Sequence, residues 1–556
     1  MPEKNGRDNL RQENTSSGKT GEARGKRSFG HRPEGTSGSG NGDRKYGNRK
    51  YGDGTRGNGN RNHEKRNGGT SRGFSSRNGG GQRRGDRRNT PAGGRRPAGD
   101  FPMPVNGREL ALLVLHDIWE NGAYTAIALN QARKKYPLDP QERRFATELV
   151  NGAVKAKGTL EWLMRQKLSE RQPVEKLEPM VRNILYLGMY QIFFLERIPD
   201  SAACNESVNL AKKYSHRGVD KFVNGVLRNA VRDKERLAGF GGFGNPDNPD
   251  ITGKMAWLSL KEYHPLWLIQ RWVKKFGLAE TERLCRWDNE PAPLSLRVNT
   301  LETGRDQVLA GLEELGAEAE PSRWSPDGIV CTRIPGLAPL FGKFPKGFYV
   351  QDESSMLPAA VLAPRPGEKV LDMCSAPGGK TTHMAALMGD RGDITACDIY
   401  PHKLELIREN AERLGLECIW PELQDGTRFR PEWYRKFDRV LVDAPCSGLG
   451  VLRRRAEARW TKSPKDLEEF PPLQRRILDC ATRYVKEGGW LLYSTCTMED
   501  RENALLVKGF LKDHPEWEQA EFTHPITGKP VRELQLYPQR DGVDGFYLTL
   551  LHLKGE

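Results

Sequence analysis

Several features are missing from this 556-residue sequence, and each absence excludes a class of protein. None of the nine cysteines stands in a Cys-x-x-Cys pair, so we expect no zinc knuckle, no thioredoxin-like site and no bound metal. The N-terminus lacks the apolar core of a signal peptide, and the longest apolar stretch, residues 184–195, is too short to span a bilayer. We therefore expect a cytoplasmic protein with no membrane partner and with free thiols.

Residues 1–100 have no Val, Ile, Trp or Cys, and only nine apolar residues against 24 glycines. Such a segment cannot bury enough surface to offset its ordering entropy, so we expect it to be disordered. It also carries most of the net charge of +15, with 24 Lys and Arg against ten Asp and Glu. Its Arg-Gly steps suit loose, salt-sensitive contact with nucleic acid, and a solubilising tail without a partner is the alternative.

From about Val105 to Glu235 the apolar residues follow a helical period. One predicted helical face contains Val181, Ile184, Leu185 and Gly188, and a second contains Phe222, Val223, Val226, Leu227 and Ala230. Lys and Arg residues decorate the region, which by itself is also typical of an ordinary solvated helix face. The segment 108–229, which ends in Phe-Val-Asn-Gly-Val-Leu-Arg, resembles the all-helical NusB domain, and this resemblance implies RNA binding.

Gly and Pro residues interrupt every period around residues 239–249, which predicts a linker. Beyond it, residues 294–298 suggest a strand and residues 305–315 a helix. The predicted domains are a tail (1–100), a NusB-like domain (105–236), a linker (237–257), a small mixed α/β subdomain (258–350) and an α/β domain (351–556).

In the last of these domains, short apolar runs alternate with helical stretches. The runs are residues 369–372, 393–398, 437–443 and 490–495, and the helical stretches include residues 402–414 and 473–485. This alternation predicts a Rossmann-like, doubly wound α/β fold with a parallel sheet. In such sheets ligands bind beyond the carboxyl ends of the strands.

The first predicted strand-to-helix turn, residues 372–381, reads Asp-Met-Cys-Ser-Ala-Pro-Gly-Gly-Lys-Thr. Its glycines let the backbone approach a ligand closely, and the helix that follows offers free N–H groups. The spacing matches neither a Walker A loop, because Cys374 stands where a glycine is needed, nor a Gly-x-Gly-x-x-Gly dinucleotide fingerprint.

Four aspartates follow the predicted strands, namely Asp372, Asp398, Asp425 and Asp443. A single carboxylate at a strand end is more often a cap or turn former than a ligand. Four around one edge favour a ligand site, in which Asp398 can accept the ribose hydroxyls of a nucleoside. An acidic lining also suits a cationic sulfonium cofactor.

Two cysteines follow the next strands, in residues 443–448 (Asp-Ala-Pro-Cys-Ser-Gly) and 494–497 (Ser-Thr-Cys-Thr). A lone cysteine in a mixed fold is more often an inert buried residue than a reactive one. Pro445 and Ser447 flank Cys446, and polar residues surround Cys496, so we expect both in loops that face each other across one cleft.

Residues 375–381 (Ser-Ala-Pro-Gly-Gly-Lys-Thr), together with the two cysteine segments, resemble the RsmB/Sun family of RNA cytosine-C5 methyltransferases, over about residues 352–554. The NusB-like segment in front points within it to the enzymes that act on 16S ribosomal RNA. Residues 541–547 also resemble the family's last strand. Residues 453–460 depart from its pattern, which usually has Pro-Asp before the Trp, and the N-terminal tail lies outside it.

The resemblance implies a cofactor and roles for residues. Thiolate addition to C6 of cytosine makes C5 nucleophilic, and by resemblance Cys496 is that nucleophile, Cys446 assists release and Asp443 contacts the ring near N3. Lys380 is placed near both ligands, where its charge would favour a thiolate. The residues alone leave open which cysteine attacks. The implied S-adenosyl-L-methionine site comprises Cys374, Ser375, Ala376, Pro377, Gly378, Gly379, Lys380, Asp398, Asp425 and Asp443.

The expected partner is 16S ribosomal RNA in an unassembled or partly assembled small subunit, and we expect a monomer. One alternative is methylation of transfer RNA or of another ribosomal RNA site. Another is a non-catalytic RNA-binding assembly factor that keeps the cofactor fold as a scaffold. The presence of both cysteines and all strand-end aspartates favours the enzyme.

Overall fold

The structure is a computed structural model in which residues 101–240 and 250–554 are described. The predictions for the tail, residues 1–100, and for residues 241–249 of the linker lie outside the described residues. Within the two described ranges, no helix has the length and apolar character needed to cross a membrane.

The first described region, residues 101–240, is built from helices, as predicted. A short 3-10 helix spans Val174–Lys176. The α-helices are α1 (Gly107–Glu120), α2 (Thr125–Lys135), α3 (Pro140–Lys155), α4 (Lys157–Arg165), α5 (Pro179–Phe194), α6 (Asp200–Tyr214), α7 (Val219–Arg232) and α8 (Lys234–Ala238).

Helix α5 forms the centre of this helical region. It is apolar on nearly all sides and packs against α1, α3, α4, α6 and α7, as expected of a helix enclosed by others. At Gly188 an added Cβ would lie 2.7 Å from the Leu227 side chain, so the glycine permits α7 to approach closely. Helix α7 buries most of its predicted face and leaves its basic residues outside.

A connecting region follows, with helices α9 (Ile251–Lys261), α10 (Leu266–Phe276) and α11 (Leu278–Asn289). Residues 251–257, which we predicted as linker, are therefore helical. The reason is a cap: the Asp250 side chain accepts hydrogen bonds from the backbone N–H groups of Thr252 and Gly253.

A small antiparallel sheet comes next, in the order β2-β3-β1-β4. Helices α12 and α13 accompany it. The elements are β1 (Leu294–Val298), α12 (Arg305–Glu314), β2 (Glu318–Pro321), β3 (Gly328–Arg333), α13 (Ala338–Lys343) and β4 (Phe348–Val350).

The remaining residues build a larger sheet flanked by helices, with a short 3-10 helix at Pro431–Trp433. Its strands are β5 (Lys369–Asp372), β6 (Asp393–Asp398), β7 (Ile419–Leu423), β8 (Phe437–Asp443), β9 (Val485–Thr495), β10 (Trp517–Ala520), β13 (Glu533–Leu536) and β14 (Phe546–Leu553). The helices are α14 (Glu353–Leu362), α15 (Gly379–Leu387), α16 (Pro401–Leu414), α17 (Ala458–Thr461), α18 (Asp466–Thr482), α19 (Ala504–Asp513) and α20 (Pro538–Asp541). A separate two-stranded hairpin pairs β11 (Phe522–Thr523) with β12 (Pro530–Val531).

The strand order of the larger sheet is β10-β14-β9-β8-β5-β6-β7, with β13 also paired to β14. The five strands from β7 to β9 are parallel, as predicted. Strand β14 is antiparallel to β9, to β10 and to β13, so an antiparallel part that was not predicted extends the parallel part and the sheet is mixed. An apolar run such as residues 546–553 has the same pattern in either direction, which is why its sequence does not reveal its orientation.

Helices cover both faces of the sheet. Residues of α14, α15 and α16 pack on one face and residues of α18 and α19 on the other, which confirms the predicted Rossmann-like α/β class. Helix α18 begins earlier than predicted, because it continues through Pro471 and Pro472, which the prediction placed outside it, and it ends earlier because Val485 already starts β9.

Candidate active site

The loop between β5 and α15 has the glycine-dependent geometry expected of a ligand-binding turn. Gly378 precedes the first residue of α15 with a φ of 101°, a conformation that side-chain-bearing residues rarely adopt. The Ser375 backbone N–H donates to the Cys397 carbonyl at 2.8 Å, and its hydroxyl donates to the Asp372 carbonyl at 2.9 Å. These bonds tie the loop to β5 and β6 and leave the N-terminal turn of α15 beside it.

Carboxylates at this edge of the sheet fit a cationic nucleoside cofactor. Asp372 is fully buried, and its Oδ1 has no hydrogen-bond partner among the described residues. Burial raises its pKa to about 6 despite a hydrogen bond from Thr381. Asp398 ends β6 and accepts a hydrogen bond from the Tyr400 N–H at 3.0 Å. The strand ends therefore offer acidic groups to a nucleoside that carries a positive sulfonium.

Asp425 differs from the other strand-end aspartates. It lies two residues beyond β7, and its Oδ1 accepts hydrogen bonds from the Thr427 N–H and hydroxyl at 3.0 and 2.7 Å. Arg428 Nε lies 3.3 Å from the other carboxylate oxygen. The side chain thus stabilises its own turn, and a contact to cofactor stays a prediction.

The structure brings the two cysteines together. Cys446 lies in the loop after β8 and Cys496 directly follows β9, and their Sγ atoms are 3.3 Å apart. Both are free thiols. Because β8 and β9 are parallel neighbours, their carboxyl ends meet at one edge, which is what places the two thiols in contact.

Asp443 and Lys380 connect the cysteine pair to the cofactor loop. Lys380 Nζ, from the first turn of α15, lies 2.7 Å from Asp443 Oδ2. The Ser494 hydroxyl donates to the other oxygen, Asp443 Oδ1, at 2.9 Å. Burial alone would lower the pKa of Lys380, but the charge and hydrogen bond of Asp443 outweigh it and raise that pKa, so the lysine is a cation.

The surroundings of the two thiols shift their pKa values in opposite directions. The hydrogen bond with Cys446 is the largest factor that lowers the pKa of Cys496, and the positive charges of Arg455 and Lys380 lower it further, against burial and Asp443. The same hydrogen bond, burial and the charge of Glu502 raise the pKa of Cys446. The arrangement therefore favours a thiolate at Cys496 and a neutral thiol at Cys446.

Three buried polar residues at the site were missed from the sequence. Arg297, fully buried, donates to the Gly379 carbonyl, to Gln351 Oε1 at 2.5 Å and to Thr382 Oγ1 at 3.0 Å. Glu502 and Gln474 lie under the Cys446 loop. For Arg297 the sequence held no signal of burial, because it alternates with apolar residues in β1 as a solvent-facing residue would, and for Glu502 the signal was its position six residues after Cys496.

Comparison with known families and proteins agrees with this geometry. The model described as 16S rRNA methyltransferase RsmB/F matches residues 359–552, the NusB family model matches residues 105–232, and the ferredoxin-like domain of RsmF/B-like methyltransferases matches residues 264–334.

Two curated relatives are named probable ribosomal RNA small subunit methyltransferase B. The protein of Bacillus subtilis is 37% identical over 81% of this chain and 99% of its own length. The protein of Synechocystis is 38% identical over 80% of this chain and 99% of its own length. Among solved structures, the crystal structure of PH0851 covers 81% of this chain and 99% of that one, with a TM-score of 0.69 and 26% identity.

These matches confirm the resemblance inferred from the sequence motifs, and with it the dependence on S-adenosyl-L-methionine. They span the helical region, the connecting region and the larger sheet. The chain belongs to the RsmB/F family of 16S ribosomal RNA methyltransferases.

Proposed function

We propose that this protein methylates C5 of a cytosine in 16S ribosomal RNA through a covalent bond between Cys496 and C6 of the base. The observation that carries the proposal is the contact of the Cys446 and Cys496 sulfur atoms at 3.3 Å, beside the ion pair of Lys380 and Asp443. A methyltransferase that acts on a more nucleophilic atom has no need of two thiols in contact.

The first step of the proposed reaction is the attack of the Cys496 thiolate on C6. Hydrogen bonding from Cys446 and the charges of Lys380 and Arg455 stabilise that thiolate before the attack. The new bond moves electron density towards N3 and C5 of the ring, and N3 takes a proton from water. The Asp443 carboxylate accepts a hydrogen bond from this N3–H and so stabilises the adduct, and N3 returns the proton to water when the C6–S bond breaks. C5 then has the character of an enamine carbon and can be alkylated.

The cofactor loop, residues 374–380, and Asp398 would hold S-adenosylmethionine, which supplies an electrophilic methyl group when bound. The chain's remaining task is to restore aromaticity. Cys446 accepts the proton from C5, the electrons of the C5–H bond form the C5–C6 double bond, and the C6–S bond breaks with its electrons on Cys496. Lys380, which pairs with Asp443 and belongs to the cofactor loop, joins the two halves of the site.

The test is a denaturing gel of protein incubated with cofactor and unmodified 16S ribosomal RNA. We expect Cys446→Ala to accumulate a covalent protein–RNA band because attack proceeds and release is blocked. The band should be absent in Cys496→Ala and in the double variant. Cys480→Ala is the matched control, since Cys480 lies within α18 away from the loops, and it should show no band.

A band only in Cys496→Ala would reverse the roles of the two cysteines. If the wild type transfers no methyl group and no variant forms a band, 16S ribosomal RNA is the wrong substrate. Parallel reactions on naked RNA and on small-subunit particles distinguish the assembly states that the enzyme accepts.

A further inference from the structure

The Glu502 side chain is an unusual group next to the cysteine pair. It is fully buried, its Oε2 accepts the Ser447 backbone N–H at 2.9 Å and Gln474 Nε2 at 2.8 Å, and its Oε1 has no partner among the described residues. Its hydrogen-bond donors there are neutral groups, and Arg271, a cation whose charge interacts with Glu502, is hydrogen-bonded to Glu499 instead. Burial of the Glu502 anion without a cation in contact disfavours folding. A residue kept at such a cost is a candidate for function.

The hydrogen bonds of Glu502 and Gln474 fall on both sides of Cys446. Glu502 holds the backbone of Ser447, while Gln474 Nε2 donates both to Glu502 and, at 2.9 Å, to the carbonyl of Pro445. The loop that carries Cys446 has no regular secondary structure of its own. The two buried side chains therefore fix the position of its thiol from beneath.

Product release requires an acceptor for the proton of the Cys446 thiol. In the resting site Cys446 is the protonated thiol, so it must lose that proton before it can accept another from C5. Burial raises the pKa of Glu502, although the hydrogen bonds from Ser447 and Gln474 oppose the rise. The charge of Glu502 acts on the Cys446 thiol, but no hydrogen bond joins Oε1 to Sγ, so a proton would reach this free oxygen through one water molecule.

We propose that Glu502 is a positioning residue for product release, which anchors the Cys446 loop and receives the Cys446 thiol proton on Oε1. This inference rests on the proposed function. The S–H bond of Cys446 breaks as a bridging water molecule takes that proton and gives one of its own to Glu502 Oε1, and the new thiolate then takes the C5 proton. Cys496 recovers the electrons of the C6–S bond, and the proton on Glu502 is later lost to water.

The experiment follows both halves of the reaction in a single turnover. RNA that carries tritium at C5 of cytosine reports proton release, and methyl transfer is followed with radiolabelled S-adenosylmethionine. Glu502→Gln keeps oxygen acceptors for Ser447 and Gln474 but removes the base. We expect methyl transfer close to that of the wild type, tritium release slowed about 100-fold, and an accumulating covalent adduct.

The pH profile separates proton transfer from a merely structural role. Without the negative charge of Glu502, the pKa of Cys446 falls, and hydroxide can deprotonate the thiol as the pH rises. Tritium release by Glu502→Gln should therefore recover at alkaline pH. Glu502→Asp retains a carboxylate and should release tritium faster than Glu502→Gln at neutral pH. The melting temperature of each variant shows whether that variant is folded.

Glu368→Gln is the matched control. Glu368 directly precedes β5, at the edge of the sheet opposite the cysteines, and pairs with Arg439 through both oxygens, so its neutralisation should leave tritium release unchanged. Wild-type tritium release in Glu502→Gln would overturn the inference, as would equal losses of methyl transfer and release at every pH. A wild type that neither transfers methyl groups nor releases tritium would overturn the proposed function instead, and this inference with it.

Discussion

The cofactor loop and the cysteine loop lie at the same edge of one sheet, but different parts of the chain support them. The cofactor loop is supported from the small antiparallel sheet, because Arg297 of β1 donates to Gly379 and Thr382 of the loop and its helix. The segment after the cysteine loop, residues 457–460, is supported from the helical region through Glu457 and Trp460 and from the connecting region through Arg459. The cysteine half and the cofactor half of the site thus have different supports.

Contacts to the helical region are made by residues of the segment 453–460, which departs from the family pattern. Thr125 donates to Glu457 Oε2 at 2.8 Å, and Trp460 Nε1 donates to the Val154 carbonyl at 2.8 Å. A Cβ at Gly158 would lie 2.4 Å from the Trp460 ring, so the indole packs directly on α4. The segment therefore fixes the helical region against the catalytic domain, beside Arg455 and the cysteines.

If Arg297 supports only the cofactor loop and residues 457–460 support only the cysteine side, a substitution at either place should weaken the binding of one ligand, S-adenosylmethionine or RNA, and not of the other. The largest effect is expected for Arg297→Ala. The change removes a buried cation and its hydrogen bonds to three acceptors, which we expect to lower the free energy of unfolding by about 3 kcal/mol. S-adenosylmethionine binding, measured by calorimetry, should weaken at least about tenfold, which corresponds to roughly 1.4 kcal/mol.

Arg297→Lys is the control for charge, since lysine keeps the cation without the planar fork and should give an intermediate loss. RNA affinity, measured by filter binding, should stay at the wild-type value in both variants. An equal loss of RNA and cofactor binding would contradict separate supports.

A smaller effect, on the other ligand, is expected for Trp460→Ala. The half-buried indole packs on α4, so its loss should lower the free energy of unfolding by about 2 kcal/mol. RNA affinity should fall while S-adenosylmethionine binding is retained, because the helical region would no longer be fixed against the catalytic domain. Trp460→Phe loses the hydrogen bonds to the Val154 and Lys155 carbonyls but keeps an aromatic ring, and it should fall between the wild type and Trp460→Ala. Weakened cofactor binding in either variant would refute the assignment.

The smallest effect is expected for Thr125→Val, which leaves the Glu457 carboxylate buried without its donor. We expect a loss of about 1 kcal/mol in the free energy of unfolding and a modest rise in the KM for RNA. Thr159→Val is matched to it, because Thr159 is a buried threonine of the same helical region whose hydroxyl donates to the Leu260 carbonyl and not to segment 453–460. Equal rises in the KM for RNA would show that loss of stability alone is the cause.

The residues that meet at the carboxyl edge of the sheet could be predicted from the sequence, because their position depends only on the strands that they follow. Strands β5, β6, β8 and β9 are parallel, so residues that follow them in sequence meet in space. That rule alone places Cys446 near Cys496 and puts Asp398 and Asp443 at the same edge. It says nothing about β14, which pairs antiparallel to its neighbours.

The supporting residues could not be predicted, because their partners are distant in sequence. Alternation in β1 puts Leu294, Leu296 and Val298 on one face, and Arg297 on the other, which a sequence reader assigns to solvent. That face is covered by the helix of the cofactor loop, so Arg297 is buried. Glu502 likewise acquires its role only where α18 brings Gln474 under the loop.

Strand β14 has a consequence for how the protein is made. It lies inside the sheet, between β9 on one side and β10 and β13 on the other, although all three precede it in the chain. During synthesis β9 therefore waits as an open edge, with the Cys496 turn at its end, until residues 546–553 have left the ribosome. A chain that lacks β14 therefore has an incomplete active site, and the backbone groups along one edge of β9 are unpaired and prone to aggregation. Premature release from the ribosome would yield an inactive, protease-sensitive protein rather than a partly active enzyme.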